Sequence, residues 1–314
     1  MALASESLSG ELEMGKVSDI QKEVTNKVVS ALENGVKPWE QPWQNEHVEL
    51  SLPFNASTGL PYRGINILML WMSSLERNFT SAQWITFNQA RAEGWKIKKG
   101  SIGEKVCFYQ TKQVEEVNTE GDVVEKTIPY LKAFTVFNMD DVDVGDGEPV
   151  LKTDLAKNFQ SRALNYSRQS GVEIVHGGGI ACYYPSIDQV RMPPSDRFKT
   201  PDGWAVTLAH ELIHSTGAKS RTDRISWVSK KYSVNGDQYA FEELVAELGA
   251  AFIGAEYGFS GSHHMHASYL DHWLKVLKAD QTAIFKAASK ASKAVEYFNC
   301  LANKEHTATD VALV

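Results

Sequence analysis

The feature that most constrains this chain is a pattern of two histidines and a glutamate, His210, Glu211 and His214, in the stretch Leu-Ala-His-Glu-Leu-Ile-His-Ser-Thr-Gly. On an α-helix, residues four positions apart share one face, so both imidazoles can reach the same metal ion. Zinc commonly takes two imidazoles and a third protein ligand, which leaves one position for water. A neighbouring glutamate can accept the proton of that water. The pattern therefore predicts metal-assisted hydrolysis, with Glu211 as the general base.

The residues around the pattern favour a buried helix that ends soon after it. Leu208, Leu212 and Ile213 supply an apolar side, and Gly217 stands where the end of a helix is expected. In one large class of metalloproteases a third histidine follows three residues after such a glycine. Ser220 occupies that position here, so the third ligand must come from elsewhere in the chain.

The apolar segment at residues 239–253 offers that ligand, because it has the composition of a core helix that carries three glutamates. Glu243 and Glu247 lie one turn apart on a shared face, whereas Glu242 is expected to point elsewhere. A carboxylate within an apolar helix is costly unless it is paired or binds a metal. We therefore predict Glu243 as the third ligand of a Zn²⁺ ion, or of another divalent transition metal such as Mn²⁺. Glu247 is then predicted to orient a ligating histidine.

Two alternatives to this assignment stay open at the level of sequence. Glu243 and Glu247 could exchange roles, or both could lie at the helix edge and pair with lysine or arginine. Residues 180–192 are predicted to form a β-hairpin with a Pro-Ser turn. A strand of this kind commonly lies above the metal in such proteases, although an ordinary hairpin is equally compatible with the pattern.

Composition indicates a globular protein of two α+β domains, since the chain has 314 residues and 43% of them are hydrophobic. Acidic residues and glycines replace hydrophobic periodicity near residues 138–149, which predicts a boundary there. We predict a first domain at residues 1–140 with 1–17 disordered, a linker at 141–150 and a second domain at 151–314. The first 20 residues are polar, and no apolar run has the roughly 18 residues that a membrane span needs. This predicts a cytoplasmic protein with no membrane partner, and three widely spaced cysteines predict reduced thiols.

Periodicity predicts the main elements of each domain. Helices are predicted at residues 18–34, 66–75 and 81–93, paired strands at 104–137 around a turn at 118–122, and a terminal helical region at 265–301.

The first domain holds a candidate nucleic-acid surface, although the net charge of −7 argues against a broadly basic protein. Aromatic rings stack on bases and cations neutralise phosphates in single-strand binding that ignores sequence. The candidate residues are Tyr62, Arg63, Trp84, Phe87, Arg91, Trp95, Lys96, Lys98 and Lys99. Composition alone favours the alternative, in which the tryptophans are core residues and the lysines a solvated rim.

Five blocks of sequence, taken in order, resemble the ArdC antirestriction family of conjugative plasmids, and the resemblance covers nearly the whole chain. The blocks are Thr58–Asn66, Trp84–Ala90 with Lys98–Gly103, Tyr184–Asp188, His210–Gly217 and Phe241–Gly249. The resemblance implies an N-terminal single-stranded-DNA-binding domain and a C-terminal zincin-like metallopeptidase domain. It also implies a protein that protects incoming plasmid DNA from the restriction enzymes of the recipient cell.

Other functions remain to be weighed against this one. A non-enzymatic DNA-binding shield or decoy could use the metal only as a structural staple. A metal-dependent nuclease is less favoured, because such sites usually gather several carboxylates around hard cations. The expected partners are single-stranded DNA and an unidentified protein substrate or restriction-enzyme component.

Overall fold

The computed structural model describes residues 19–39, 51–117, 123–145, 158–225, 237–259 and 268–304. The chain divides into two units, the first formed by Met1–Val28 with Pro53–Leu151 and the second by Val29–Leu52 with Lys152–Val314. A helix at residues 19–33, α1, contributes to both. Each unit combines helices with strands, which confirms the predicted α+β class. The predicted disordered residues 1–17 and the part of the predicted linker after residue 145 lie outside the described residues.

The first unit is built around a four-stranded sheet in the order β1-β2-β5-β4. These strands are β1 Phe54–Asn55, β2 Gln83–Thr86, β4 Glu104–Val117 and β5 Val123–Asn138. A separate two-stranded sheet pairs β3 Lys96–Ile97 with β6 Val142–Asp143. The helices are α2 Ile65–Arg77 and α3 Phe87–Ala92. The antiparallel pairing of β4 with β5 confirms the predicted strand pair. The predicted turn between them lies outside the described residues.

The predicted helix over residues 81–93 is wrong in its first half. Trp84 and Ile85 are fully buried in β2, which pairs with β5, because the sheet core takes both side chains out of water. A capping box then starts α3: the Thr86 side chain accepts a hydrogen bond from the backbone N–H of Gln89, whose own side chain accepts the N–H of Thr86.

Among its described residues, the second unit has five helices of its own, besides part of α1, and a small mixed sheet. The sheet has the order β7-β9-β8, with β7 Glu173–His176, β8 Cys182–Tyr184 and β9 Gln189–Met192; the helices are α4 Phe159–Ser170, α5 Pro201–Thr216, α6 Asp237–Tyr257, α7 Ser268–Ala279 and α8 Ala283–Ala302. The antiparallel pair β8–β9 confirms the predicted hairpin. The predicted terminal helical region is two helices, because the Asp280 side chain accepts hydrogen bonds from the N–H and hydroxyl of Thr282 and turns the chain.

The close approach of α5 to α6 positions the site. A Cβ atom placed on Gly249 of α6 would lie 2.8–3.0 Å from three carbons of the Ile213 side chain on α5. Glycine at this position therefore lets the two helices meet without displacing a stiff, β-branched side chain. Ile213 is fully buried and stands between the two histidines of the motif, so this contact also sets the distance between those histidines and α6.

Two further expectations concern the chain as a whole. Within the described residues, every helix is too short or too polar to cross a membrane. Cys107, Cys182 and Cys300 are free thiols, as the cysteine spacing predicts.

Candidate functional site

The helix α5 carries the histidine motif and begins with a well-formed N-terminus. Thr200 caps it, since its hydroxyl accepts the backbone N–H of Gly203 at 3.1 Å, and Pro201 occupies the first helical position, where its missing N–H costs nothing. The second half of the helix, from Val206 onward, is largely buried. His210 and His214 project from one face of this half, as their spacing predicts.

The two imidazoles converge through their Nε2 atoms. These atoms lie 3.1 Å apart, with His210 buried and His214 slightly exposed. Two nitrogen lone pairs at this distance repel each other unless a positive charge lies between them. The arrangement is therefore suited to a cation.

Glu243 of α6 completes this cluster. One of its carboxylate oxygens lies 3.3 Å from His210 Nε2, and the other lies 3.5 Å from His214 Nε2. Ligand atoms bonded at about 2.0–2.1 Å in a tetrahedron lie about 3.3 Å from one another, so each imidazole nitrogen has a Glu243 oxygen at about the separation that a shared metal ion requires. Two imidazoles and one carboxylate also form a donor set that transition metals accept. His210, His214 and Glu243 thus fit a divalent metal ion.

Two further glutamates of α6, Glu242 and Glu247, lie on the outer sides of the imidazoles. Glu247 Oε1 is 3.8 Å from His210 Nδ1, and Glu242 Oε1 is 3.2 Å from His214 Nδ1. The expectation that Glu242 points away from the site is wrong. Residues 242 and 243 are about 100° apart on the helix, and the ring of His214 lies against both of them, with Nε2 toward Glu243 and Nδ1 toward Glu242.

Electrostatics within the cluster favour positive charge at its centre. Burial alone would lower the pKa of His210 and of His214, but the carboxylates more than offset it and both values are raised. Burial likewise would raise the pKa of Glu243, yet the imidazoles hold it well below its usual value. The same donors that retain a proton here can exchange it for a metal cation.

Glu211 is held apart from the cluster. Its carboxylate is buried and accepts the backbone N–H of Tyr183, in β8, at 2.7 Å. The Tyr183 hydroxyl in turn donates to Asp188 Oδ1 at 2.7 Å, which fastens the hairpin. Glu211 is therefore outside the group of His210, His214 and Glu243, as the predicted role of a general base requires.

Two tyrosines near Glu243 are absent from the residues that the sequence predicts for the site. Tyr239 precedes Glu243 by one helical turn and forms a hydrogen bond to it; burial is the main cause that raises the pKa of Tyr239, followed by the charge of Glu243. Tyr269 of α7 donates to the Tyr239 hydroxyl at 3.1 Å. The one-turn spacing before a predicted ligand is a signal that could have identified Tyr239.

The candidate nucleic-acid residues separate into buried and exposed groups. Trp84 is fully buried in a cluster with Val106 and Val136, and Tyr62 is buried in the same cluster. Trp84 and Tyr62 are therefore core residues, which corrects the prediction that they contact DNA. A ring enclosed on both faces cannot stack on a base.

The remaining candidates lie at or near the surface. Trp95 is partly buried and packs against the cluster that contains Ile85. The exposed residues are Arg63, Phe87, Arg91, Lys96, Lys98 and Lys99. Phe87 is 56% exposed at the start of α3, the helix that packs against β3 with its adjacent lysines. Exposed aromatic rings and exposed cations are the residue types that bind single strands without regard to sequence.

The fold and the metal site together define a protein with a distinct N-terminal unit and a zincin-like second unit. Residues 161–290 match the family model described as a zincin-like metallopeptidase. Residues 18–137 match the model for the N-terminal domain of the anti-restriction factor ArdC.

Solved structures and sequence relatives agree with these matches. The crystal structure of antirestriction protein ArdC from plasmid R388 in its metal-free form has a TM-score of 0.75 and 36% identity, and the similarity covers 92% of this chain and all of that one. Its Mn(II)-bound form has a TM-score of 0.72, 34% identity and coverage of 91% and 99%. The chain belongs to the ArdC antirestriction family.

Two further relatives extend the comparison. The uncharacterized protein y4eC of Sinorhizobium fredii is 32% identical over 90% of this chain and 92% of its own length. A DNA primase TraC of Escherichia coli is 30% identical over 90% of this chain, which corresponds to only 20% of the primase.

Proposed function

We propose that this member of the ArdC family protects incoming plasmid DNA in the cytoplasm, binds single-stranded DNA with its first unit and hydrolyses a protein with its second. The observation that carries the peptidase proposal is the convergence of two imidazoles and one carboxylate within 4.8 Å, beside a separately held glutamate.

The residues of the second unit divide the proposed reaction between them. His210, His214 and Glu243 would hold the metal, which when bound polarises a scissile carbonyl and acidifies a water molecule. Glu211 accepts the proton of the attacking water and returns it to the amine that leaves. The Tyr183 N–H orients the carboxylate of Glu211, and Glu247 orients His210.

We propose Zn²⁺ as the metal, since the three donors match its preferred tetrahedral ligands. The Mn(II)-bound structure of R388 ArdC makes Mn²⁺ the alternative. Metal analysis of protein purified without added metal, followed by competition between the two ions, distinguishes them.

The decisive test of hydrolysis is the variant Glu211→Gln, which keeps the size of the side chain and removes its basicity. We expect unchanged metal content and no cleavage of a mixed peptide library measured by mass spectrometry. The matched control is Glu256→Gln, which makes the same substitution elsewhere in the second unit. Glu256 lies near the end of α6, beyond the turns that carry the proposed ligand, and its carboxylate accepts hydrogen bonds from Asn299. Cleavage that persists in Glu211→Gln would remove the proposed role.

For the first unit we propose that Phe87, Arg91, Lys96, Lys98 and Lys99 form the single-strand-binding surface, with Arg63 at its margin. Support comes from their exposure and from the contact of α3 with β3. The full chain should bind a fluorescent oligothymidine, with an affinity that falls steeply as salt rises. Binding that is insensitive to salt would contradict a phosphate-tracking surface.

The alternative is a DNA shield or decoy that performs no hydrolysis. The metal-free crystal structure of R388 ArdC shows that the fold of this relative forms without metal, which disfavours a purely structural metal. A conjugation assay into a restricting recipient separates the two proposals. If Glu211→Gln protects the plasmid as well as the wild type does, DNA binding rather than hydrolysis provides the protection.

A further inference from the structure

Two arginines with buried side chains lie in residues 217–225, directly after α5. Arg221 and Arg224 have side-chain exposures of 2% and 5%, and each forms an ion pair with one carboxylate. Burial of a guanidinium is costly unless its donors are satisfied, so the partners of each arginine indicate what it holds in place.

Arg224 binds Glu242 through two parallel hydrogen bonds. Its Nε lies 2.8 Å from Oε2 and its Nη2 lies 2.9 Å from Oε1. The same guanidinium donates to the backbone carbonyl of Ile213 at 2.7 Å and to the hydroxyl of Thr216 at 3.1 Å. Arg224 thus ties the last turn of α5 to one carboxylate of α6.

Glu242 also contacts His214, one of the proposed metal ligands. Its Oε1 atom, which accepts from Arg224, also lies 3.2 Å from His214 Nδ1. With an ionised carboxylate at that nitrogen, the imidazole carries its proton on Nδ1 and keeps the lone pair on Nε2. Nε2 is the atom that faces His210 and Glu243.

We infer that Arg224, acting through Glu242, is a positioning residue of the metal centre that fixes the orientation and tautomer of His214. This inference rests on the proposed metal site. It gives the segment after α5 a role in that site, although Arg224 is not one of the three candidate ligands.

Lysine should not replace Arg224 in this role. The guanidinium spans both oxygens of Glu242 and still reaches Ile213 and Thr216, whereas an ammonium group is a single point with three donors. Arg224→Lys therefore keeps the charge and removes the geometry.

Arg221 provides a matched control from the same segment. It binds Asp188 through Nη1 at 2.8 Å and Nη2 at 2.6 Å, and it donates to the carbonyl of Ser215. The Arg221→Lys variant thus removes a buried guanidinium that forms two hydrogen bonds to one carboxylate, but that carboxylate, Asp188, is 40% exposed and is bonded to the Tyr183 hydroxyl rather than to an imidazole.

The test measures metal affinity of the full-length protein by competition with a chromophoric chelator, using Zn²⁺ and Mn²⁺ separately. We expect Arg224→Lys and Glu242→Gln each to weaken metal binding about 10- to 100-fold. The double variant should bind about as weakly as Glu242→Gln alone, since the arginine acts through Glu242. Arg221→Lys should bind within about twofold of the wild type.

A spectroscopic readout separates positioning from general stability. The visible absorption of bound Co²⁺ reports ligand geometry, so it should change in Arg224→Lys and Glu242→Gln and stay the same in Arg221→Lys. Unchanged affinity and spectrum in both variants, or an equal loss in Arg221→Lys, would overturn the inference. Failure of the wild type to bind metal more tightly than His210→Ala would instead defeat the proposed metal site itself.

Discussion

The proposed metal centre of the second unit and the proposed DNA surface of the first unit differ in the burial of their charged side chains. In the proposed metal centre Glu211, Glu242, Glu243 and Glu247 are buried, and each carboxylate lies within 3.8 Å of a backbone or imidazole nitrogen. The basic residues of the DNA surface are exposed.

This difference teaches how strongly each kind of pattern constrains function. A buried charge must be compensated, so few arrangements are possible and the role of each glutamate follows from its neighbour. An exposed lysine is stable almost anywhere on a surface, so its position alone indicates little. The following predictions test the contrast, from the largest expected effect to the smallest.

Trp84→Ala should destabilise the first unit by about 3–5 kcal/mol, because it empties a fully buried site in the sheet core. Chemical denaturation followed by circular dichroism measures the change. Loss of DNA binding in this variant should accompany unfolding. A Trp84→Ala variant with unchanged stability and reduced DNA affinity would show that Trp84 belongs to the binding surface.

Glu243→Ala should weaken metal binding by more than the about 10- to 100-fold expected for Glu247→Ala, because it removes a ligand rather than an orienting partner. The two variants change the same residue type on one face of α6, so each controls for the other. Isothermal titration with Zn²⁺ measures both. The reverse order of affinities would exchange the roles of the two carboxylates.

Gly249→Ala should lower stability by about 1–3 kcal/mol and weaken metal binding as well, because the added methyl group pushes Ile213 and α5 away from α6. A second substitution, Ile213→Val, removes one methylene from the contact and should restore part of the loss. Thermal unfolding with and without metal measures both effects. A neutral Gly249→Ala variant would show that the helix contact is not tight.

Phe87→Ala should reduce affinity for single-stranded DNA by about 1–3 kcal/mol if its ring stacks on a base. Stability should change by less than about 0.5 kcal/mol, since the ring is exposed. Tyr184→Ala removes an exposed aromatic ring from the second unit and serves as the control. Equal DNA affinity in the two variants would contradict the proposed surface.

Replacing Lys98 and Lys99 by alanine should have a small effect that appears mainly in the salt dependence. Each lost phosphate contact lowers the slope of log affinity against log salt by about 0.7 for a single strand. The control replaces the exposed Lys290 and Lys293 of α8, which changes net charge equally. Equal slopes for both double variants would place the DNA elsewhere.

The failures of sequence reasoning have a shared physical cause. From the helical spacing of α6 alone, Glu242 is expected to lie away from the site. Whether a side chain meets a histidine on another helix depends on how the two helices pack, and here the Gly249–Ile213 contact brings them close. The helix predicted over residues 81–93 misplaces Trp84 for a similar reason, since the burial of Trp84 depends on the pairing of β2 with the distant strand β5.

What the sequence by itself determined is the local geometry of α5. The spacing of His210 and His214 places both imidazoles on one face, because the helical repeat is a property of the backbone. It also singled out Glu243 and Glu247, since carboxylates in an apolar helix require partners.

Only the tertiary structure decided which partner each group has. Tyr183 holds Glu211, and Arg224 reaches His214 through Glu242, across contacts between segments that are distant in the chain. Such contacts depend on the packing of whole helices and strands, which a local repeat does not specify.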